Sequence, residues 1–130
     1  VRALGYEPGI IPQMKTSFFE ADRTLVETAI AVCREVNPDI AVYEGRVLSG
    51  DQFISDGDKK DWLIHTFDGS CAEMEGAAIA HAAYLNKVSC VIIRAISDKA
   101  DNSATMDYPT FEKKAIAHSV RLVQNFLPRI

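Results

Sequence analysis

A nearly continuous apolar run from Val88 to Ile93 restricts the fold of this chain more than any other feature. A run of β-branched and apolar residues without polar alternation is typical of a strand buried on both faces of a parallel sheet. We therefore predict a central parallel strand here. The run ends in a polar segment, residues 94–98, and ligands of open α/β sheets bind beyond the carboxyl ends of such strands.

Helices and strands alternate around this run. Apolar residues at helical spacing and turn residues at their ends predict four helices. Three of them cover residues 22–37, 76–85 and 108–126, and a short one between the first two carries Trp62. Two further strands are predicted, at residues 40–48 and through Cys71 and Ala72. The order of the elements is that of a layered α/β fold.

The last helix has a predicted buried face. Its apolar residues Ile116, Val120 and Val123 recur at helical spacing, so we expect them to face the core. Residues 1–21 differ from the rest of the chain because Gly and Pro interrupt regular structure there. They predict a loop whose apolar side chains cover another surface.

Charge and hydropathy exclude two classes of partner. Lys and Arg number 14 against 18 Asp and Glu, a net charge of −4, and no basic stripe is present to neutralise a phosphate backbone. Nucleic acid is therefore not an expected partner. The apolar stretches are far shorter than the roughly 20 residues of a bilayer span, so we expect no membrane segment.

The spacing of the cysteines and histidines indicates the state of the thiols and whether a metal site is expected. The three cysteines lack a Cys-x-x-Cys pair, which favours reduced thiols and a cytoplasmic location. His65, His81 and His118 show no metal-ligand spacing, so we expect neither a metal nor another cofactor.

Three polar segments follow predicted strands, at residues 49–54, 73–76 and 94–98. Glu73 and Glu75 alternate, so in extended backbone both carboxylates point to one side. Glu75 also begins a helix, where it either caps the helix or presents an anion that accepts hydrogen bonds from hydroxyls, for instance those of a sugar. Arg94 follows a buried run and needs a carboxylate partner, either as a structural ion pair or to orient one of these glutamates.

Two further residues have alternative interpretations. Asp98 is either a partly desolvated general acid or a solvated turn residue. Phe53 either stacks on a flat heterocycle or packs in the core.

The segments together resemble the 5′-methylthioadenosine/S-adenosylhomocysteine nucleosidase family. The resemblance is carried by Glu73 to Ala80 and by Arg94 to Asp101. Ser49 to Ile54 is similar to the adenine-site segment of that family, and Leu4 to Pro12 to its dimer-facing loop. The implied fold is a layered α/β/α architecture with a central mixed sheet, like that of nucleoside phosphorylases and hydrolases.

The implied reaction is hydrolysis of the N-glycosidic bond of 5′-thio-substituted adenosines, which releases adenine and a thioribose. By this resemblance Asp98 protonates N7 of the base and Ser97 orients that acid. Phe53 stacks on the base, and the backbone of Ile54 reads its edge.

The remaining site residues are also assigned by resemblance. Met74 and Glu75, with Glu73 of the same motif, bind the ribose, and Arg94 supports the carboxylate. Tyr108 lines the 5′-alkylthio pocket. Tyr6 and Pro12, in an interface loop spanning residues 1–21, reach the active site of the other subunit of a homodimer.

The resemblance covers only the C-terminal part of the family domain, so we expect residues 1–130 to be that part of a single nucleosidase domain. In the family, the carboxylate that activates the attacking water belongs to the N-terminal part, and no residue of this sequence corresponds to that carboxylate. By the resemblance, the chain would therefore need the N-terminal part as a partner. Three alternatives remain open at this point: a purine nucleoside phosphorylase, another nucleosidase of the superfamily, and a non-catalytic fragment that completes an interface.

Overall fold

A computed structural model describes residues 5–14, 16–97 and 108–130 of the chain. In order, its elements are α1 (Arg23–Val36), β1 (Arg46–Ser49), α2 (Gly57–Phe67), β2 (Gly69–Glu73), α3 (Gly76–Asn86) and α4 (Tyr108–Phe126), followed by a short 3₁₀ turn at Leu127–Arg129. This arrangement confirms the predicted α/β class. Within the described ranges, no helix is both long and apolar enough to cross a bilayer.

The two strands are parallel and are joined by α2, which makes a β-α-β unit. Asp56 caps the start of α2 by accepting from the Asp58 amide at 3.1 Å. Asp68 ends the helix in the left-handed conformation, with φ of 54°. Gly69 then begins β2 directly against Leu48 of β1, where a Cβ atom would overlap the leucine side chain. The crossover through α2 and the turn at Asp68 therefore place β2 beside β1 as its parallel neighbour.

Among the described residues, the core lies between α1 and α4 and is formed by five buried residues: Ala29, Val32, Cys33, Leu122 and Phe126. Helix α1 begins at Arg23 because the side chain of Asp22 accepts a hydrogen bond from the Leu25 amide at 3.1 Å. Val91 packs against the core from the run that follows α3.

The predicted central strand at 88–93 is not paired in a ladder within the described residues. Val88 and Ile93 are 62% and 46% exposed. A parallel strand needs neighbours that supply hydrogen-bonding groups, and in the described part of the chain β1 and β2 pair only with each other. Residues 40–45, predicted as part of a strand with 46–48, also lie outside the ladder. The strand predictions were therefore too long at β1 and wrong, for the described residues, at 88–93.

The prediction for α4 was wrong about its buried face. Ile116, Val120 and Val123 are 57%, 49% and 46% exposed. The face that packs against α1 instead carries Leu122 and Phe126. The helix has apolar residues on two faces, and the position of α1 decides which of them is buried.

The predicted loop before α1 is irregular, as expected. Gly5 and Gly9 both have φ of 79°, in the region that favours glycine. Gly9 lies against the ring of Phe67 at the end of α2, where a Cβ atom would be only 2.8 Å from Cε1. The described part of the loop therefore covers one end of the β-α-β unit.

Candidate active site

The parallel register places Ser49, the last residue of β1, opposite Glu73, the last residue of β2. The Ser49 hydroxyl donates to Oε1 of Glu73. The chain continues the pairing for one more residue, because the Gly50 amide donates to the Glu73 carbonyl at 3.1 Å. The carboxyl ends of the two strands therefore meet in one hydrogen-bonded cluster.

The same carboxylate closes the N-terminus of α3. The Gly76 amide donates to both oxygens of Glu73, at 2.9 and 2.7 Å, and the Glu75 amide donates to Oε2 at 3.1 Å. The Ala77 amide donates to Oγ of Ser49 at 2.7 Å. Three amides at the start of the helix are therefore satisfied by the ends of the strands, which anchors the helix to the sheet.

This geometry corrects one interpretation of the sequence. Glu75 occupies the position before the first helical residue, but its side chain makes no capping hydrogen bond. The anion at the helix terminus is the carboxylate of Glu73. Glu75 is thereby left to act outside the helix.

Arg94 joins the two carboxylates. Its Nη1 lies 3.5 Å from Oε2 of Glu73, and its Nη2 lies 3.4 Å from Oε2 of Glu75. The side chain of Glu73 is 3% exposed, whereas that of Glu75 is 62% exposed. Arg94 thus bridges the two carboxylates, of which Glu73 is buried and Glu75 is exposed to solvent.

Opposing effects act on the pKa of Glu73. Burial raises the pKa of this carboxyl, but hydrogen bonds from Ser49, Gly76 and Glu75 and the charge of Arg94 together hold the pKa below its ordinary value. Glu73 is therefore an anion at neutral pH. Burial, and after it the charge of Glu73, raises the pKa of the Cys71 thiol, so this cysteine is not activated as a nucleophile.

The segment after β1 presents an aromatic ring. Phe53 is 78% exposed, which argues against core packing, and Ile54 is partly buried. On the segment after β2, Met74 is 49% exposed beside Glu75. Ser97 is partly buried at the end of the run that contains Arg94. The segments that follow β1 and β2 therefore each expose an apolar side chain, Phe53 and Met74.

Two of the sequence-predicted site residues fall wholly or partly outside the described part of the chain, and two others lie in the loop before α1. Asp98 lies outside the described residues. Tyr108 begins α4, but its side chain also lies outside them. Tyr6 is partly buried and Pro12 is exposed in the loop that precedes α1.

Ser49 is a functional candidate to which sequence reasoning gave no role of its own. The available signal was its place at the end of a predicted strand, in the segment 49–54. Its partner, however, is 24 residues away along the chain, and only the strand register brings the two together.

The cluster has the chemistry of a hydroxyl-binding site. Two carboxylates and one guanidinium give it a net negative charge, and the exposed carboxylate of Glu75 retains oxygens that can accept hydrogen bonds from a polyhydroxy ligand. Among the described residues, no cluster of His, Cys, Asp and Glu has the geometry to hold a metal ion.

Comparison with solved structures agrees with this architecture. The fold superposes on the 5′-methylthioadenosine/S-adenosylhomocysteine nucleosidase of Campylobacter jejuni with a TM-score of 0.88 and 32% identity, over 100% of this chain and 56% of the other. A futalosine hydrolase of Helicobacter pylori gives a TM-score of 0.84 and 32% identity, over 100% of this chain and 55% of the other. The chain therefore has the fold of nucleoside phosphorylases and hydrolases.

Comparison with curated sequences gives the same relationship. A 5′-methylthioadenosine/S-adenosylhomocysteine nucleosidase of Shewanella loihica is 37% identical over 131 residues, which are 100% of this chain and 56% of the relative. An aminodeoxyfutalosine nucleosidase of Helicobacter pylori is 32% identical over 128 residues, which are 98% of this chain and 54% of the relative.

This chain spans about half the length of the curated relatives that it matches. The match to a family is nevertheless nearly complete along the chain itself. The model of the phosphorylase superfamily matches residues 2–128. From the fold, the relatives and this match, we conclude that the chain belongs to the phosphorylase superfamily.

Proposed function

We propose that the protein containing this chain hydrolyses the N-glycosidic bond of 5′-methylthioadenosine and S-adenosylhomocysteine. The observation that carries the proposal is the exposed carboxylate of Glu75, which lies beside Arg94 and next to the anchored carboxylate of Glu73. Relatives named for this activity align with the whole chain and support it.

The ribose binds at the start of α3 in this proposal. The Glu75 carboxylate accepts hydrogen bonds from the ribose hydroxyls, and the side chain of Met74 contacts the sugar. Arg94 neutralises part of the negative charge and holds the Glu75 carboxylate in one direction. Carboxylate acceptors form strong charge-assisted hydrogen bonds with hydroxyls, which makes them suited to this role.

The adenine binds at the end of β1. The ring of Phe53, exposed in this structure, stacks on the flat base, and the backbone of Ile54 pairs with its edge. Asp98, oriented by Ser97, donates a proton to N7. As the bond from C1′ to N9 breaks, its electron pair stays with adenine, and the added proton neutralises the charge that would develop there.

The sugar is left with an oxocarbenium-like carbon that water attacks. The proposed catalytic groups of this chain leave the activation of that water to a carboxylate outside residues 1–130, as the family resemblance implies. Tyr108 lines the pocket for the 5′-alkylthio group. Tyr6 and Pro12 of a second copy complete the pocket, so we propose a homodimer that acts in the cytoplasm.

A second candidate is hydrolysis of the nucleoside aminodeoxyfutalosine. It is favoured by relatives of that name in Helicobacter pylori and Campylobacter jejuni, at 32% and 34% identity. A phosphorylase and a non-catalytic fragment remain as outcomes of the test.

Release of adenine by the full-length protein, measured with and without inorganic phosphate, tests the proposal. We expect release from 5′-methylthioadenosine without phosphate. Asp98→Asn should lower the rate about 100-fold or more because it removes the general acid. Glu112→Gln, an exposed change on α4, is the control and should leave the rate unchanged.

Four results would contradict the proposal or one of its assignments. A strict requirement for phosphate would identify a phosphorylase, and release only from aminodeoxyfutalosine would select the second candidate. Absence of release from either nucleoside would favour a role in completing an interface. Unchanged turnover in Asp98→Asn would remove Asp98 as the acid.

A further inference from the structure

Glu73 is the most enclosed charged side chain of the cluster, at 3% exposure. Its carboxylate contacts the end of β1 through Ser49, the start of α3 through the amides of Gly76 and Glu75, and the run after α3 through Arg94. One anion therefore connects three separate parts of the chain.

These contacts use the hydrogen-bonding capacity of the carboxylate. Its two oxygens can accept about four hydrogen bonds, and the donors already present are the Ser49 hydroxyl, two backbone amides and a guanidinium. Little capacity and almost no accessible surface are left for a ligand. Glu73 is thus placed to act on other residues of the site rather than on a substrate.

We propose that Glu73 is a positioning residue that fixes the direction of the Glu75 and Arg94 side chains from behind the ribose site. It holds the backbone of Glu75 through an amide hydrogen bond of 3.1 Å. It also holds Nη1 of Arg94, which leaves Nη2 facing Glu75. This inference rests on the proposed function for its effect on catalysis, but its structural part stands apart from it.

The negative charge, rather than the size, of Glu73 is the property required. Gln has the same shape but replaces one acceptor oxygen with an NH₂ group, which would face backbone N–H groups or the guanidinium. Asp keeps the charge and both acceptors on a chain shorter by one methylene. The pair Glu73→Gln and Glu73→Asp therefore separates charge from packing.

The kinetic test compares these two variants in the full-length protein, with 5′-methylthioadenosine as substrate. We expect Glu73→Gln to lower kcat/KM about 100-fold by misplacing the groups that hold the ribose. Glu73→Asp should recover a large part of that loss. If Glu73 served only as packing, Gln would retain activity and Asp would lose it, and that ranking would overturn the proposal.

A second arm tests whether Glu73 acts through Glu75. We expect Glu73→Gln to cause little further loss in a protein that already carries Glu75→Gln, because the group being positioned is gone. Full additivity of the two losses would contradict the proposal. If Glu73→Gln does not fold, Ser49→Ala, which removes one donor to Glu73 and the acceptor of the Ala77 amide, takes its place with an expected loss of about tenfold.

A third arm does not need activity. The amide proton of Gly76 donates to a carboxylate, so its NMR resonance should lie downfield in the wild type and in Glu73→Asp and move upfield in Glu73→Gln. An unmoved resonance would overturn the positioning role even in an active enzyme. If the wild type releases no adenine, the proposed function fails while this arm still decides whether Glu73 organises the cluster.

Discussion

The side chain of Asn37 is completely buried and donates from Nδ2 to the backbone carbonyl of His118, 3.1 Å away. Its Oδ1 accepts from Nη1 of Arg121 at 3.1 Å. Asn37 ends α1, and its two partners belong to α4. A polar residue inside the interface therefore fixes the end of one core helix against the middle of another.

Asn37→Ala should lower the free energy of unfolding by about 2 kcal/mol, because it removes the hydrogen bonds that a completely buried side chain makes to α4 and leaves a cavity in its place. The matched control is Asn86→Ala at the end of α3, where the exposed amide donates only to its own helix, at Ala82. Urea unfolding followed by circular dichroism measures both. Equal midpoints for the two variants would show that the contact between α1 and α4 adds nothing.

Gly76→Ala should be destabilising by about 1 to 3 kcal/mol. A Cβ atom at this buried position would lie 3.0 Å from Oε1 and 3.2 Å from Cδ of Glu73, so the anchored carboxylate would have to move. Gly57 is also the first residue of a helix, but nothing lies within 4 Å of its Cβ position. Gly57→Ala should therefore be neutral or stabilising by about 0.5 kcal/mol, because it restricts the unfolded chain. Thermal unfolding that ranks Gly76→Ala above Gly57→Ala would contradict this.

The contribution of Asp22 to stability should depend on pH. Hydrogen bonds from the Ser89 hydroxyl and the Leu25 amide lower the pKa of Asp22 below its ordinary value of 3.8. The folded state therefore favours the charged form, and the added stability is present above the unfolded pKa and lost as pH falls through the lower folded pKa. Asp22→Asn should melt at a lower temperature than the wild type at pH 7, and the difference should vanish in strong acid. A difference that persists below both pKa values would be inconsistent with this origin.

The ion pair between Arg129 and Glu35 should raise the melting temperature of the chain at low salt but not at high salt. The guanidinium of Arg129 contacts both oxygens of Glu35, at 2.8 and 2.9 Å, and joins the C-terminal turn to α1. Lysine cannot form this paired contact, so Arg129→Lys should reduce the melting temperature slightly at low salt. Both side chains are exposed, and the effect should disappear near 1 M salt, where the screening length is about 3 Å. A reduction of equal size at both salt concentrations would point to lost packing instead.

Local signals predicted the helices well. The caps Asp22 and Asp56 and the turn after Phe67 are encoded within a few residues of the elements that they bound, and α1, α2, α3 and α4 lie where they were predicted. The strand β2 was also found through Cys71 and Ala72. Such elements are defined by periodicity and capping that do not depend on distant residues.

Features that depend on distant partners were not predictable in the same way. The run from Val88 to Ile93 has the composition of a buried strand, but strand pairing needs a neighbour that sequence composition cannot supply. The buried face of α4 depends on where α1 lies. Periodicity alone predicted that Ile116 is buried, whereas the packing of α1 buries Leu122.

The candidate site shows the same division. The sequence placed Glu73, Glu75 and Arg94 together because all three follow predicted strands, and their contacts confirm that grouping. It did not assign the helix terminus to Glu73 or give Ser49 a role, because both depend on the register between two strands. The roles of Phe53 and Asp98 remain predictions.

The contacts at the start of α3 depend on the register in which β1 and β2 pair. Successive residues of a strand point to opposite faces, so a slip of one residue between β1 and β2 would turn the Ser49 hydroxyl away from Glu73. Both strands would still be paired, and most of the backbone hydrogen bonds would be kept. The amides of Gly76 and Ala77 would then lose the acceptors that the correct pairing provides. The amide hydrogen bonds at the start of α3 therefore form only when β1 and β2 have paired in the correct register, so they favour that register over a slipped one.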